Sequence, residues 1–212
     1  YQLAKIGSDA TNTRVQSGVE YMLSHKTTLG FSYAYSWSQT INQESTLATN
    51  FDNNTGIKGY TKTTGKTTDR LPSRHLLNIN AEHRIDSTGK KINIDYDLFA
   101  YRMNKQRDFN IGNYLPDNTK QSESINRLTG NPNYMIQSLK ADIDLPTKFA
   151  KYTLGVKGAF VHNKVQNVTM SLQNQVYVND TAGTNAFDYE EQTQAAYIQA
   201  SKGWKQLSIQ IG

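Results

Sequence analysis

The chain has 212 residues, a formal charge of +5, no Cys and only 36% hydrophobic residues, although 13 are Tyr and 7 are Phe. Without Cys there are no disulfides or thiolate metal sites, and no run approaches the roughly 18 apolar residues of a membrane helix. Lys and Arg are scattered among Asp and Glu with no basic run, so the positive charge does not indicate a nucleic-acid partner.

Membrane strands stay open, because each needs only about 9–11 residues with alternate side chains apolar. The chain opens at Tyr1 with no initiator Met, basic leader or apolar leader, so a mature piece or a cut fragment is expected.

The first alternation places Val15, Val19, Tyr21 and Leu23 against Arg14, Gln16 and Glu20. After a turn at Ser24, His25 and Lys26 comes the clearest pattern in the chain. Leu29, Phe31, Tyr33, Tyr35 and Trp37 share one parity, and Thr28, Gly30, Ser32, Ala34, Ser36 and Ser38 share the other. Side chains alternate across a strand, so this is a ribbon with one greasy side and one small, hydroxylic side. The two segments predict a hairpin in which Leu29, Phe31, Tyr33, Tyr35 and Trp37 face lipid.

A second hairpin is predicted from Leu76–Ile85 and Lys91–Tyr101, joined through Asp86, Ser87, Thr88, Gly89 and Lys90, which include turn formers. Leu77, Ile79, Ala81 and Ile85 share a parity, as do Ile92, Ile94, Tyr96 and Leu98. The opposite parity carries Asn78, Asn80, Glu82 and Arg84, then Asn93, Asp95 and Asp97. Alternating carboxylates next to an arginine and several asparagines fit a hydrated barrel lumen better than an acid/base pair. Glu82, Arg84, Asp95 and Asp97 are therefore expected to face the lumen, with Arg84 offsetting carboxylate charge across the strands.

The third hairpin pairs Met135–Leu145 with Tyr152–His162, and Pro146 sits in the connection, where no ladder donor is needed. A fourth runs from Glu190–Ala200 across Ser201, Lys202, Gly203 and Trp204 to Leu207, Ile209 and Ile211. In its first arm Ala196 and Ile198 compete with Tyr197 for the apolar face, which leaves the register open.

The connections alternate between short, near 24–27, 86–90, 146–150 and 201–204, and long, over 40–73, 104–133 and 163–187. Outer-membrane barrels have this asymmetry, with tight periplasmic turns and elaborated outer loops. The long segments are rich in Thr, Asn and Gly and are expected to be functional surfaces or mobile. Within them Tyr60, Phe109, Tyr114, Tyr177 and Phe187 are candidate stacking surfaces for a sugar or other ligand. Packing of loop against loop is the competing explanation for each.

Catalytic and metal signals are weak. His25, His75, His83 and His162 lack metal-ligand spacing, and His75 and His83 are about 26 Å apart if they lie on one strand. No phosphate loop, nucleophile elbow or HExxH motif is present. No catalytic, cofactor or metal residue is assigned. Asn53-Asn54-Thr55, Asn167-Val168-Thr169 and Asn179-Asp180-Thr181 match the glycosylation acceptor pattern, which is common by chance.

Gly18-Val19-Glu20-Tyr21, Thr28-Leu29-Gly30-Phe31-Ser32-Tyr33, Arg74-His75-Leu76-Leu77-Asn78-Ile79-Asn80 and Gln194-Ala195-Ala196-Tyr197-Ile198-Gln199-Ala200 resemble the barrel portion of TonB-dependent-receptor-like outer-membrane proteins of Gram-negative bacteria. The resemblance implies a large, plugged barrel of about 22 strands. It also implies outer-membrane lipid as surroundings, and TonB-type energy coupling and a surface lipoprotein as partners through a full-length parent. Neither a plug nor a TonB box is visible, and the chain stops within the apolar alternation Ile209-Gln210-Ile211-Gly212.

The expected fold is therefore all-β: an antiparallel, up-and-down transmembrane barrel segment of about eight strands, with short turns at one end and long loops at the other. Residues 1–212 are expected to be one piece of a larger barrel, lacking its plug and its last strands. The expected role is a non-enzymatic part of a receptor or transporter. Two alternatives remain: a complete eight-stranded barrel acting as adhesin or tether, and a soluble β-sandwich binding module.

Overall fold

The computed structural model describes residues 1–52, 56–204 and 207–212. They form one antiparallel sheet of nine strands: β1 (Gln2–Ser24), β2 (Thr27–Asp52), β3 (Gly56–Arg84), β4 (Lys91–Tyr114), β5 (Lys120–Gly130), β6 (Asn133–Pro146), β7 (Lys151–Gln173), β8 (Val176–Trp204) and β9 (Leu207–Ile211). β5 and β6 are one pass interrupted at Asn131-Pro132. β5 pairs the outer half of β4 while β6 pairs its inner half, and both are followed across the sheet by β7. The nine strands thus make eight crossings. No second sheet packs on this one among the described residues, which removes the sandwich alternative. β1 and β9 do not pair with each other, so the described sheet does not close on itself.

The tight turns have local causes. At 24–27 the amides of Lys26 and Thr27 donate to Ser24 Oγ, each at 3.1 Å. At 85–90 Asp86 accepts from the Thr88 amide at 2.9 Å and from its hydroxyl at 2.6 Å, and Gly89 takes φ +94. Thr147 Oγ1 accepts from the Phe149 and Ala150 amides in the next turn. The hydrogen bonds from Thr88 first, and the Lys90 ammonium second, hold the Asp86 carboxyl well below the usual carboxylate range.

The expected crossing at Ser201–Trp204 is corrected. These residues are the end of β8, paired with β9 through Trp204↔Leu207, and residues 205–206 lie outside the described residues. Strand pairing continues here because neither Gly203 nor its neighbours take a positive φ.

The segments 40–73, 104–133 and 163–187 are not open loops; most of their described residues are paired strand. β2 pairs with β3 as far as Asp52↔Gly56, and β7 meets β8 across a two-residue turn in which Asn174 (φ 48) and Gln175 (φ 67) are both left-handed. Such a turn matches the natural twist of a hairpin. The 29 residues of β3 reach roughly 95 Å at the rise of a strand, against the 9–11 residues that cross a bilayer. The hairpins therefore continue as paired wall well past the length of one bilayer crossing. Asn53-Asn54-Thr55 lies outside the described residues.

Irregularities cross the sheet at one height. β3 carries an extra residue at Leu71–Ser73, so that Ser36↔Arg74 is followed by Ser38↔Leu71 and Ser73↔Arg102 by Arg70↔Asn104. At that level the second interruption, Asn131-Pro132, faces β4, with the Met103 amide donating to the Pro132 carbonyl at 2.9 Å. β8 bulges nearby, where Asn167↔Asn185 is followed by Thr169↔Asp180. Pro72 and Pro132 have no ladder donor, and each sits where the ladder is already broken. On β2, β3 and β4 the part below this seam is about 11–12 residues, close to the length of a tilted crossing, while β1 runs past it without a break.

Candidate functional site

The register fixes which side chains share a face. Leu29↔Ala81↔Ile94↔Ala141↔Val156↔Ala196 and Phe31↔Ile79↔Tyr96↔Leu139 run across the inner sheet as rows. Val19 and Tyr21 on β1, and Leu154 and Ile198 on β7 and β8, extend this face. The β8 register left open in the sequence is now settled: Ala196 and Ile198 are on the apolar face, and Tyr197 on the other.

Burial is inverted relative to a soluble protein. Ile79, Ile94, Leu139 and Val156 are 45, 44, 55 and 56% exposed, whereas Ala34, Ser36, Asp142 and Asp144 on the opposite face retain only 5, 3, 8 and 6%. A contiguous exposed apolar face of this extent requires a nonaqueous neighbour.

The opposite face is a hydrogen-bonded polar network. Asp142 receives Lys140 at 2.6 Å and the Tyr197 hydroxyl; Asp144 receives Lys151 at 3.0 Å and the Thr153 hydroxyl at 2.7 Å. Close backbone approach makes room for it: a side chain at Gly155 would strike Tyr197 and Asp142, and one at Gly30 would strike Asn80.

Glu82, Arg84, Asp95 and Asp97 all lie on this face, through Arg84↔Lys91, Glu82↔Asn93, Asn80↔Asp95 and Asn78↔Asp97. The expected partner of Arg84 is corrected. It bonds Glu82 of its own strand at 3.1 Å, and Lys91 makes the cross-strand contact to Glu82 at 2.7 Å. Asp97 instead accepts from Asn78 at 2.8 Å, and Asp95 lies directly opposite Lys140.

One feature of the polar face went unread in the sequence. Near the seam it turns aromatic: the Phe99 and Tyr101 rings lie 5.6 Å apart, Tyr101 stacks on Tyr134 at 5.6 Å, and Phe99 meets Tyr134 edge-on at 6.2 Å. Beside them is a cleft of about 210 Å³ whose wall includes Arg14, Gln16, Asn78, Asp97, Phe99 and Ser138. The available signal was Phe99 and Tyr101 falling on the parity of Asn93, Asp95 and Asp97.

The five candidate stacking residues do not form one site. Tyr60 and Tyr114 are direct cross-strand partners and share a groove of about 440 Å³ with Leu47, Lys62 and Asn118. Phe109 lies under the Arg107 guanidinium at 5.3 Å, Tyr177 under that of Arg127 at 4.4 Å, and Phe187 stacks on Tyr189 at 6.0 Å. The Asp108 carboxylate that bonds Arg127 holds the guanidinium pKa above its ordinary value. Among the described residues no three His, Asp or Glu converge as metal ligands.

No curated protein matches the chain significantly. The model of the outer membrane protein beta-barrel family matches residues 83–212, more than half of the chain and every strand from β4 onward. Together with the exposed apolar face and the antiparallel sheet, that match makes the chain a member of the outer membrane protein beta-barrel family, located in the outer membrane.

Proposed function

We propose that the chain is a section of the wall of a large outer-membrane barrel that recognises or takes up a solute without chemically altering it. In this reading the apolar face meets lipid, the polar face lines the lumen, and the hairpins above the seam are the recognition surface. The observation that carries it is the pairing of a buried polar network around Asp142 and Asp144 with a cleft higher on the same face, lined by Phe99 and flanked by Tyr101 and Tyr134. A solute passing the wall meets rings to stack on and amides and carboxylates to bond, the composition of ligand sites generally.

The unpaired edges of β1 and β9 favour a larger barrel over a complete eight-stranded one, because exposed edges invite further pairing. TonB-type energy coupling and a surface lipoprotein are partners of this proposal, acting through the full-length protein.

The test is deletion of about ten residues within Asn50–Lys66 in the full-length protein. The rest of the sheet is expected to form, with strand content lower by no more than the deleted residues and their partners, while uptake or surface binding changes. Loss of folding would make the hairpin structural and defeat this division of labour.

A further inference from the structure

Above the seam the two faces hold their cations differently except at Arg127, which lies in the lipid-side row Lys66↔Asp108↔Arg127 and bonds Asp108 at 2.6 Å. On the lumenal face Arg107 bonds Glu44, and Lys105 approaches Asp69 at 4.0 Å. On the lipid-side face β3 presents Lys62, Lys66 and Arg70 at every fourth residue, about 13 Å apart. Lys5 of β1 shares that face through Lys5↔Ser45↔Thr64.

Among the described residues the Lys5, Lys62 and Lys66 ammonium groups have no carboxylate or hydrogen-bond partner, and the Arg70 guanidinium has the Gln39 amide oxygen at 3.4 Å. Between Lys5 and Lys66 runs a groove of about 610 Å³ whose polar lining includes Gln43, Ser45, Thr64 and Asn110. Asp108, directly opposite Lys66, and Glu44 also line the groove, but the Asp108 carboxylate is taken by Arg127 at 2.6 Å and Gln106 at 2.7 Å, and that of Glu44 by Arg107.

Position identifies the occupant. On β2 the same face reads Leu29, Phe31, Tyr33, Tyr35 and Trp37 up to the seam, an apolar band ending in aromatics of the kind that mark a membrane–water interface. Arg70 stands opposite Gln39, the next position on that face, and the groove lies above it. A groove directly above the lipid band, on the lipid side, opens onto the headgroups of the outer leaflet. Free ammonium groups suit phosphate, and the amides and hydroxyls between them suit sugar hydroxyls.

We propose that the groove between Lys5 and Lys66 binds the phosphorylated sugar headgroup of an outer-leaflet glycolipid. The wall is thereby tied to the membrane surface at the level where it leaves the bilayer. This site is separate from the lumenal face and stands or falls independently of solute transport.

The experiment uses the full-length protein in nanodiscs of phosphatidylcholine containing a small fraction of lipid A-type phosphorylated glycolipid, with retained lipid counted by native mass spectrometry. Lys66→Gln is expected to lower retention roughly fivefold, and Lys5→Gln with Lys66→Gln about twenty-five-fold, on the scale of one basic residue at a charged membrane surface. Lys5→Arg with Lys66→Arg should retain it. Equal retention by the glutamine variant, equal retention of the dephosphorylated glycolipid, or loss in the arginine variant would overturn the proposal. Displacement by an equal concentration of inorganic phosphate would also overturn it, by marking a soluble-anion site.

Discussion

The inner and outer halves of these strands belong to one sheet and share one register, yet they obey different side-chain rules. Below the seam Phe31↔Ile79↔Tyr96↔Leu139 opposes a row as polar as Ser32↔Asn78↔Asp97↔Ser138. Above it both faces carry polar groups, as in Thr64↔Asn110 on one and the Glu44–Arg107 pair on the other. Backbone pairing alone therefore says nothing about where the bilayer lies. The chemistry of one face changes from apolar to polar at the level at which Pro72 and Pro132 interrupt the ladder.

The largest test of this contrast is a charge placed on the lipid-side face. Ile79→Arg, near the middle of the inner half, is expected to destabilise the barrel by about 2–4 kcal/mol, and Thr64→Arg above the seam by less than about 0.5 kcal/mol. Urea unfolding in lipid vesicles measures both, and similar costs would erase the distinction between the halves.

A smaller effect separates the halves on their hydrogen-bonded tyrosines. Tyr197→Phe removes the hydroxyl that Asp142 accepts and should cost about 1–2 kcal/mol, whereas Tyr177→Phe, whose contact with Arg127 is through the ring, should cost almost nothing. The same unfolding assay distinguishes them.

Next in size is Gly89→Ala in the Asp86–Lys90 turn, expected to cost about 1 kcal/mol because φ +94 is unfavourable for any residue with a Cβ. The smallest effect is one of pH. The Asp86 carboxyl is held below its ordinary value by Thr88 and Lys90, so its contribution is fully present above the unfolded-state value of about 4 and is lost as pH falls through the lowered folded value. Amide exchange at Thr88 should accelerate with acidification relative to the Asn118 turn amide, and the difference should disappear in Asp86→Asn.

The inner halves were legible because only one face is apolar. Alternation from Leu29 to Trp37 and from Leu77 to Leu98 is the print of a sheet with one apolar and one polar face. The outer halves were not legible as strands, since two polar faces leave no period of two. Thr61-Lys62-Thr63-Thr64-Gly65-Lys66-Thr67-Thr68 reads as a loop by polarity, although threonine's branched Cβ suits a strand.

The candidate site was legible in part for the same reason. Parity grouped Glu82, Arg84, Asp95 and Asp97, but the bonds among them depend on reach, which placed Arg84 on Glu82 and Asp97 on Asn78. The Tyr60–Tyr114 pair and the Phe99–Tyr101–Tyr134 cluster join residues from different strands, so they appear only once the register is known. The seam is likewise invisible locally, because Pro72 and Pro132 are levelled only through their common neighbour β4.

The most direct test of the seam as the bilayer boundary is a spin-label scan of β2 in the full-length protein, from Leu29 to Leu47, with oxygen as the lipid-soluble quencher and a nickel chelate as the water-soluble one. Odd positions from Leu29 to Trp37 are expected to be oxygen-accessible and nickel-protected, with even positions reversed, and from Gln39 onward nickel should reach the odd positions. Oxygen-dominated alternation continuing to Leu47, or a 3.6-residue period anywhere along the segment, would contradict it.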